Sequence, residues 1–222
     1  MTTVMLVHGA WHRPDCWAKL EPELRALGYD TRTPALLSSG DQPTAGMHDD
    51  AAVLAAELAS IEGPVVVVGH SYGGIPVTEA AAGARNVQRL IYLAAYMPDK
   101  GQSMYDIHGV PEPEDMSGLF PLIDDPRNSL YGDLPDDEAE QLVGRLVEQT
   151  VRSFAEKVDA AAWRDIPSSF ILTEQDKAIP PALQEQMAVH ATELRRVPGS
   201  HSPFLARPRE LAVLIDEIVR GA

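Results

Sequence analysis

Pro64-Val65-Val66-Val67-Val68-Gly69-His70-Ser71-Tyr72-Gly73-Gly74 is the stretch that decides the architecture of this chain. Four consecutive valines run into Gly69, and a serine follows two residues later. The alanine-rich segment Ile75–Ala82 comes next. This reads as a buried strand, a sharp turn and a helix, with Ser71 at the apex. Gly69-His70-Ser71-Tyr72-Gly73 has the G-x-S-x-G spacing of a nucleophile elbow. Such a turn is strained, and side chains on its flanks would collide with the neighbouring strand and helix. Glycine on both flanks removes the collision. The bland alternative is an ordinary glycine-rich turn, but the valine strand before it and the helix after it favour the elbow.

Outward from the elbow the chain alternates. Val4–Val7 is a short apolar run that stops at His8-Gly9, as a buried strand would. Asp15 is placed to cap a helix over Cys16–Leu27, with Trp17, Leu20, Leu24 and Leu27 at helical spacing and Gly28 as the stop. Tyr29–Pro34 reads as a partly exposed strand and Leu36–Met47 as a loop. His48–Ile61 reads as a helix with Val53, Leu54, Leu58 and Ile61 on one face. Leu90–Ala95 is another apolar strand. The order βαβαβαβ implies an α/β fold, a mostly parallel sheet with helices on both faces. The alternation breaks at Met97. From there to about Ile166 no strand stands out, and proline-rich, acidic sequence surrounds one helical segment, Asp136–Val158. That stretch has too few apolar positions for a core of its own. Residues 97–166 are therefore expected to form a small helical cap or lid over the sheet's carboxyl edge, rather than a mobile linker. Residues 1–96 and 167–222 are expected to form the core. Pro167–Thr173 resumes the sheet, Pro180–His190 is a helix opened by prolines, and Glu193–Val197 is the last of about six strands. Arg207–Val219 closes the chain with Leu211, Leu214, Ile215 and Ile218 on its buried stripe.

Composition narrows the function classes. A chain of 222 residues suits one domain with a full core. A formal charge of −15, with no basic patch to neutralise phosphates, argues against nucleic acid or an anionic membrane as partner. The single cysteine, Cys16, excludes an intramolecular disulfide and is expected to be a buried filler. MTTVMLVHG enters a strand at once, with no targeting segment and no apolar run of about 18 residues, so a cytoplasmic location is expected.

A serine hydroxyl needs a general base within hydrogen-bond reach. Of the seven histidines, His201 lies just after the last strand, in Pro198-Gly199-Ser200-His201-Ser202-Pro203. Loops at the carboxyl ends of strands are where open α/β sheets place catalytic groups. His70 adjoins Ser71, but successive strand residues face opposite ways, so it is expected beneath the sheet as a structural histidine. His8 is read as a brace for its loop, and His48, His108 and His190 as surface residues. The base needs an acid to fix its tautomer. Asp176, directly after the penultimate strand, is preferred over Glu174 and Asp99. The order Ser71, Asp176, His201 is then serine, acid, histidine. Acyl transfer also needs donors aimed at the developing oxyanion. The Tyr72 N–H, following the nucleophile at a helix N-terminus, is one. The Ala10 N–H, beside Gly9 in the loop after the first strand, is the other.

His8-Gly9-Ala10, the GHSYGG elbow, Leu93-Ala94-Ala95-Tyr96-Met97-Pro98-Asp99, Thr173 to Pro180 (TEQDKAIP) and Gly199-Ser200-His201 occur in this order. Together they resemble the α/β-hydrolase branch that holds plant methylesterases, hydroxynitrile lyases and their bacterial esterase relatives. The resemblance covers nearly the whole chain, with a shorter cap than in the plant members. It implies an α/β-hydrolase fold and the triad Ser71–Asp176–His201, and it supports Ala10 and Tyr72 as the oxyanion hole. Hydroxynitrile lyases of this branch carry threonine where Gly9 stands and a cyanide-balancing lysine where Ser202 stands. Neither is present here, and the methylesterase-like pattern is the one matched.

Trp11, Tyr72 and Phe204 flank the catalytic loops, while Met104, Tyr105, Leu119, Phe120, Leu130, Tyr131 and Phe154 belong to the cap. Gly9, Trp11, His12, Tyr105, Phe120, Tyr131, Phe154 and Phe204 are the expected substrate-binding residues, with plain cap-to-sheet packing as the alternative for those of the cap. An apolar pocket lined by aromatics suits an apolar or aromatic ester. No His, Asp and Glu spacing suggests a metal site, and no glycine loop suggests a phosphate cofactor; none is expected. The expectation is a serine hydrolase, carboxylesterase or methylesterase-like, acting on a small-molecule ester through an acyl-enzyme. A thioesterase, lactonase or C–C hydrolase would use the same triad. A ligand-binding receptor on a hydrolase scaffold is a further alternative, against which an intact triad argues.

Overall fold

The computed structural model describes Met1–Gly221. In chain order the elements are β1 (Thr3–Val7), α1 (Leu20–Ala26), β2 (Asp30–Arg32), β3 (Ser39–Gly40), α2 (Met47–Ser60), β4 (Val65–His70), α3 (Gly74–Ala80) and β5 (Val87–Leu93). The middle of the chain holds α4 (Met104–His108), β6 (Leu119–Phe120), α5 (Pro126–Tyr131), α6 (Asp136–Val143), β7 (Glu148–Thr150) and α7 (Val151–Ala155). It ends with β8 (Ser168–Thr173), α8 (Pro181–Ala188), β9 (Glu193–Val197), α9 (Pro203–Ala206) and α10 (Pro208–Arg220).

Six strands form one sheet in the order β2-β1-β4-β5-β8-β9, and every neighbouring pair is parallel. The valines of β4 alternate as a doubly covered strand must. Val65 and Val67 join Leu54, Leu58, Ile75 and Met187 on one face, and Val66 and Val68 join Leu20, Leu24, Leu211 and Ile215 on the other. Each such buried valine or leucine contributes roughly 1.5–3 kcal/mol. On α10, Leu211, Ile215 and Ile218 are buried as expected, while Leu214 is only partly so.

Strand order reverses between β1 and β4, and an open α/β sheet places its site at such a switch point. Val7 is level with Gly69 in the β1–β4 register, so the loop after His8 emerges beside Ser71. Thr173 is level with Val197 across β8 and β9, which brings the loop carrying Asp176 beside the loop carrying His201.

Three local expectations are corrected. The helix expected over Cys16–Leu27 is divided: Pro14–Trp17 is a 3₁₀ turn, and α1 begins only at Leu20. The reason is Pro22, whose ring would strike the Ala18 carbonyl of a continuous helix but is tolerated in a first turn. Asp15 caps nothing and pairs with Arg145. The helix expected over Asp136–Val158 is likewise interrupted. Its centre is β7, which pairs antiparallel with β3 and β6 in a small three-stranded sheet. Thr150 ends that strand and restarts the helix by accepting the Ser153 N–H at 3.3 Å. Segment 97–166 and loop 36–47 therefore contain strands that no periodicity announced. Two- and three-residue strands are too short to show a period. Among the described residues no helix is long and apolar enough to cross a membrane.

Candidate active site

Ser71 sits at the end of β4 with φ at +53°, in the left-handed region. Sharing that turn with an L-residue requires space around it, and the glycines supply the space. A Cβ on Gly73 would lie 2.5 Å from the His8 carbonyl, and one on Gly74 would lie 2.1 Å from the Tyr96 carbonyl. A Cβ on Gly69 would meet Gly74 Cα at 3.0 Å. The Tyr96 N–H donates to the Ser71 carbonyl at 3.1 Å, tying the elbow to the loop after β5. Gly9 is needed on the facing loop, since a Cβ there would lie 2.9 Å from the Ser71 Cβ.

The Asp176 carboxylate is enclosed by donors. Oδ1 accepts the N–H groups of Ala178 and Ile179 at 2.8 and 2.9 Å. Oδ2 accepts from Thr173 Oγ1 at 2.9 Å and Gln184 Nε2 at 2.9 Å. It also lies 2.7 Å from His201 Nδ1. Nδ1 is therefore the protonated nitrogen, and Nε2 is left with its lone pair. The His201 carbonyl accepts from His70 Nε2 at 2.9 Å, and the two rings pack 4.6 Å apart. Ser200 N–H donates to Asp133 Oδ2 at 3.0 Å, so segment 97–166 also braces this loop. The rejected acids lie elsewhere: Asp99 is paired with Arg164, and Glu174 is exposed.

Ser71, His201 and Ala10 line one cavity of ≈ 340 Å³. Of the residues expected to bind substrate, Trp11, Tyr105, Phe120 and Phe154 line it, together with Met104 and Leu130. Phe154 packs at a tilt against both Phe120 and Trp11, with centroids 4.4 and 6.1 Å apart.

Four expected substrate-binding residues do not line the cavity: Gly9 backs Ser71, and His12, Tyr131 and Phe204 are elsewhere. His12 is buried and holds the loop together: Nδ1–H donates to the Ala10 carbonyl at 2.7 Å, and Nε2 accepts the Tyr131 hydroxyl at 2.8 Å. That bond takes Tyr131 away from the cavity as well. His12 and Tyr131 border instead a second cavity of ≈ 240 Å³, which Lys19, Glu138 and Arg145 also line. Phe204 is fully buried against Trp17 and His70, at 4.4 and 4.8 Å between centroids. Their aromatic character serves packing beneath the loops, a choice that one-dimensional proximity to His201 or Ala10 does not reveal. Leu119 is exposed and Tyr72 turns its ring away from the cavity.

Other residues were missed. His108 is exposed, as its reading as a surface residue expects, but it also lines the cavity with Tyr96, and the Tyr96 hydroxyl donates to His108 Nε2 at 2.9 Å. Burial lowers the His108 pKa, consistent with a neutral acceptor ring. Ala178, Ile179, Val110 and Ile123 complete the wall. Ala178 and Ile179 follow Asp176 so closely that their place at the site was inferable; the others depend on how segment 97–166 folds back.

His8 braces its loop as expected. Its Nδ1–H donates to the Gly9 carbonyl at 2.9 Å, and Nε2 accepts the Leu36 N–H at 3.2 Å. Burial lowers the pKa of His8 and of His12 to about 4, so both stay neutral. His70 is depressed too, by burial and then by the neighbouring His201 and His12. Cys16 is buried, and burial raises its thiol pKa. Away from the cavity the fold gathers His48, Glu79 and Asp159, with ligand-type atoms within 4.8 Å of one another. Sequence spacing did not disclose that group. Glu79 is already engaged by His48 Nδ1 at 2.8 Å and by the Asp159 N–H at 2.7 Å.

The sequence profile of the alpha/beta hydrolase family matches residues 4–214. An alpha/beta hydrolase of Aspergillus novofumigatus, nvfD, is 31% identical over 99% of this chain and 95% of its own. A pyrethroid hydrolase of Sphingobium wenxiniae is 28% identical over 97% of this chain and 86% of its own. Among solved structures, the methylesterase MES16 of Arabidopsis shares the fold, with a TM-score of 0.84, 22% identity and all of both chains covered.

Proposed function

The chain belongs to the alpha/beta hydrolase family and is an enzyme of esterase type, and from that premise we propose that it is a serine esterase using Ser71, His201 and Asp176. One observation carries the reading. The His201 Nδ1–Asp176 bond of 2.7 Å leaves Nε2 as a base on the wall of the cavity that also holds Ser71. In this mechanism Ser71 Oγ attacks the ester carbonyl carbon and its proton passes to His201 Nε2. The N–H groups of Ala10 and Tyr72 hold the oxyanion. The C–O bond to the alcohol breaks, and His201 returns its proton to the departing oxygen. Water then gives a proton to His201 and attacks the acyl carbon, and Ser71 leaves with the proton restored.

The cavity wall supports a neutral, apolar or aromatic acyl or alcohol group. No lysine, arginine, aspartate or glutamate is among the described residues that line it. We read residues 97–166 as the cap of that cavity, because Tyr105, His108, Phe120, Leu130 and Phe154 all come from this segment. The methylesterase of Arabidopsis thaliana that is 26% identical over 94% of this chain and 92% of its own supports an ester substrate.

Treatment with a fluorophosphonate tests the reading. It should add one phosphonyl group per chain, located on Ser71 by peptide mass. An unlabelled protein that instead binds a small carboxylic acid tightly would be a receptor on this scaffold. A label on another residue would also sink the assignment.

A further inference from the structure

Behind the elbow, away from the cavity, lies a carboxylate that the reaction does not touch. Asp50 stands in the first turn of α2 and is fully buried. Its Oδ1 accepts the N–H groups of Leu37 and Ser38 at 2.7 and 3.0 Å. Its Oδ2 accepts the Tyr72 hydroxyl at 2.6 Å and the Ser38 hydroxyl. All of these partners are neutral. Burial raises the Asp50 pKa while the hydrogen bonds to Ser38, Tyr72 and Leu37 oppose the rise. A carboxylate buried without a counter-ion is expensive and persists only when its acceptor sites are filled.

Two arms leave this carboxylate. The first is the Tyr72 side chain, whose own N–H adjoins Ser71. The second runs through Ser38 Oγ, which accepts from Gln149 Nε2 at 2.8 Å. Gln149 Oε1 in turn accepts the Trp11 N–H at 3.4 Å, and its Nε2 also donates to Ser153 Oγ at 2.7 Å. The arms therefore end on the peptides next to both proposed oxyanion donors. One arm ends beside Ser71, with φ at +53°, and the other on Trp11, with φ at +60°. Left-handed backbone at a non-glycine residue costs roughly 1–3 kcal/mol and survives only where its surroundings over-determine it.

We propose that Asp50 is a positioning residue of the oxyanion site, holding the Tyr72 and Ala10 N–H groups in fixed relation through Tyr72 on one side and Ser38–Gln149–Trp11 on the other. The inference rests on the serine-esterase reading above. Donors that are aimed before the reaction stabilise the oxyanion without reorganising, and small misplacements of reacting groups cost rate steeply. Because Gln149 and Ser153 belong to β7 and α7, the same network ties segment 97–166 to the donors.

The test compares Tyr72→Phe, which removes one hydroxyl and keeps the ring, with Asp50→Asn, using p-nitrophenyl acetate and a trifluoromethyl ketone inhibitor. Both variants should lose roughly 10- to 100-fold in kcat, with KM within about threefold of the parent. Affinity for the ketone should fall by a similar factor. A kcat within about twofold of the parent in Tyr72→Phe overturns the proposal, even if Tm falls, because a merely structural bond would move stability alone. A raised KM with unchanged kcat overturns it too. If Asp50→Asn does not fold, Tyr72→Phe decides. Ser71→Ala separates the two readings: a dead Ser71→Ala beside a fully active Tyr72→Phe removes only the positioning role, whereas an active Ser71→Ala removes the esterase mechanism itself.

Discussion

Asp176 Oδ2 lies 2.7 Å from His201 Nδ1, and both side chains are closed to solvent. Four further donors around the carboxylate, two of them backbone amides, hold Asp176 in one orientation. The imidazole is therefore held in one tautomer by a partner that cannot itself turn.

Replacing the serine is the most direct test of that arrangement. Ser71→Ala should lower kcat for p-nitrophenyl ester hydrolysis by at least ~10³-fold with the fold intact. Steady-state kinetics with a circular dichroism control measure it. Turnover near that of the parent would remove Ser71 from the mechanism.

Asp176→Asn keeps the shape of the acid but sets an amide against the ring nitrogen. The His201 tautomer is then no longer enforced. A loss of roughly 10³–10⁴ in kcat is expected, with KM changed by less than about fivefold. A loss below tenfold would point to another acid.

Gly74→Ala probes the elbow's packing rather than its chemistry. The new Cβ would meet the backbone carbonyl of Tyr96 at 2.1 Å. Backbone cannot swing aside as a long side chain can, so a destabilisation of about 3 kcal/mol or more is expected. Urea unfolding at neutral pH gives the number, and a value below 1 kcal/mol would contradict the geometry.

Acid should weaken the fold through its buried histidines. His8 and His12 have folded pKa values lowered by burial from 6.5 to about 4. Between these values the unfolded chain binds more protons, so stability rises with pH from about 4 to 6.5 and is lost as pH falls through the same window. Each histidine contributes on the order of 3 kcal/mol to that change. Asp50 works in the opposite sense, because burial raises its pKa and the folded state keeps that proton longer than the unfolded chain. His48, whose pKa is raised beside Glu79 against the effect of burial, acts in the same sense as Asp50, but the depressed His8, His12 and His70 outnumber the two, so the net slope is positive. Tm measured across this range should fall toward acid, and His12→Gln should flatten the slope. A pH-independent Tm would contradict the assignment of neutral buried rings.

How much of this was legible beforehand varies with the length of the signal. The β4 valines, the elbow glycines and the loops after β8 and β9 are local patterns, and each led to the right place in the fold. His12, Tyr131 and Phe204 were misplaced for a shared reason. Each is close in sequence to a loop of the site or lies in the segment over it, yet its partner is another buried group: His12 and Tyr131 take each other, and Phe204 takes Trp17. His108 is exposed as read, but its place on the cavity wall comes only from the fold of segment 97–166. Asp50 was not singled out in the sequence at all. Nothing in its neighbours announced that four donors from loop 36–38 and Tyr72 would surround it.

The sequence by itself determined the parallel sheet, the turn between strand and helix that carries Ser71, and the chain order of the proposed triad, Ser71, Asp176 and His201. These follow from periodicity, glycine geometry and chain order, which are properties of short stretches. Only the tertiary structure decided which aromatics face the cavity, where the small sheet of β3, β6 and β7 forms and how Asp50 is satisfied. Those outcomes depend on contacts between residues far apart in the chain. An apolar or hydrogen-bonding side chain carries no mark of which distant partner will bury it.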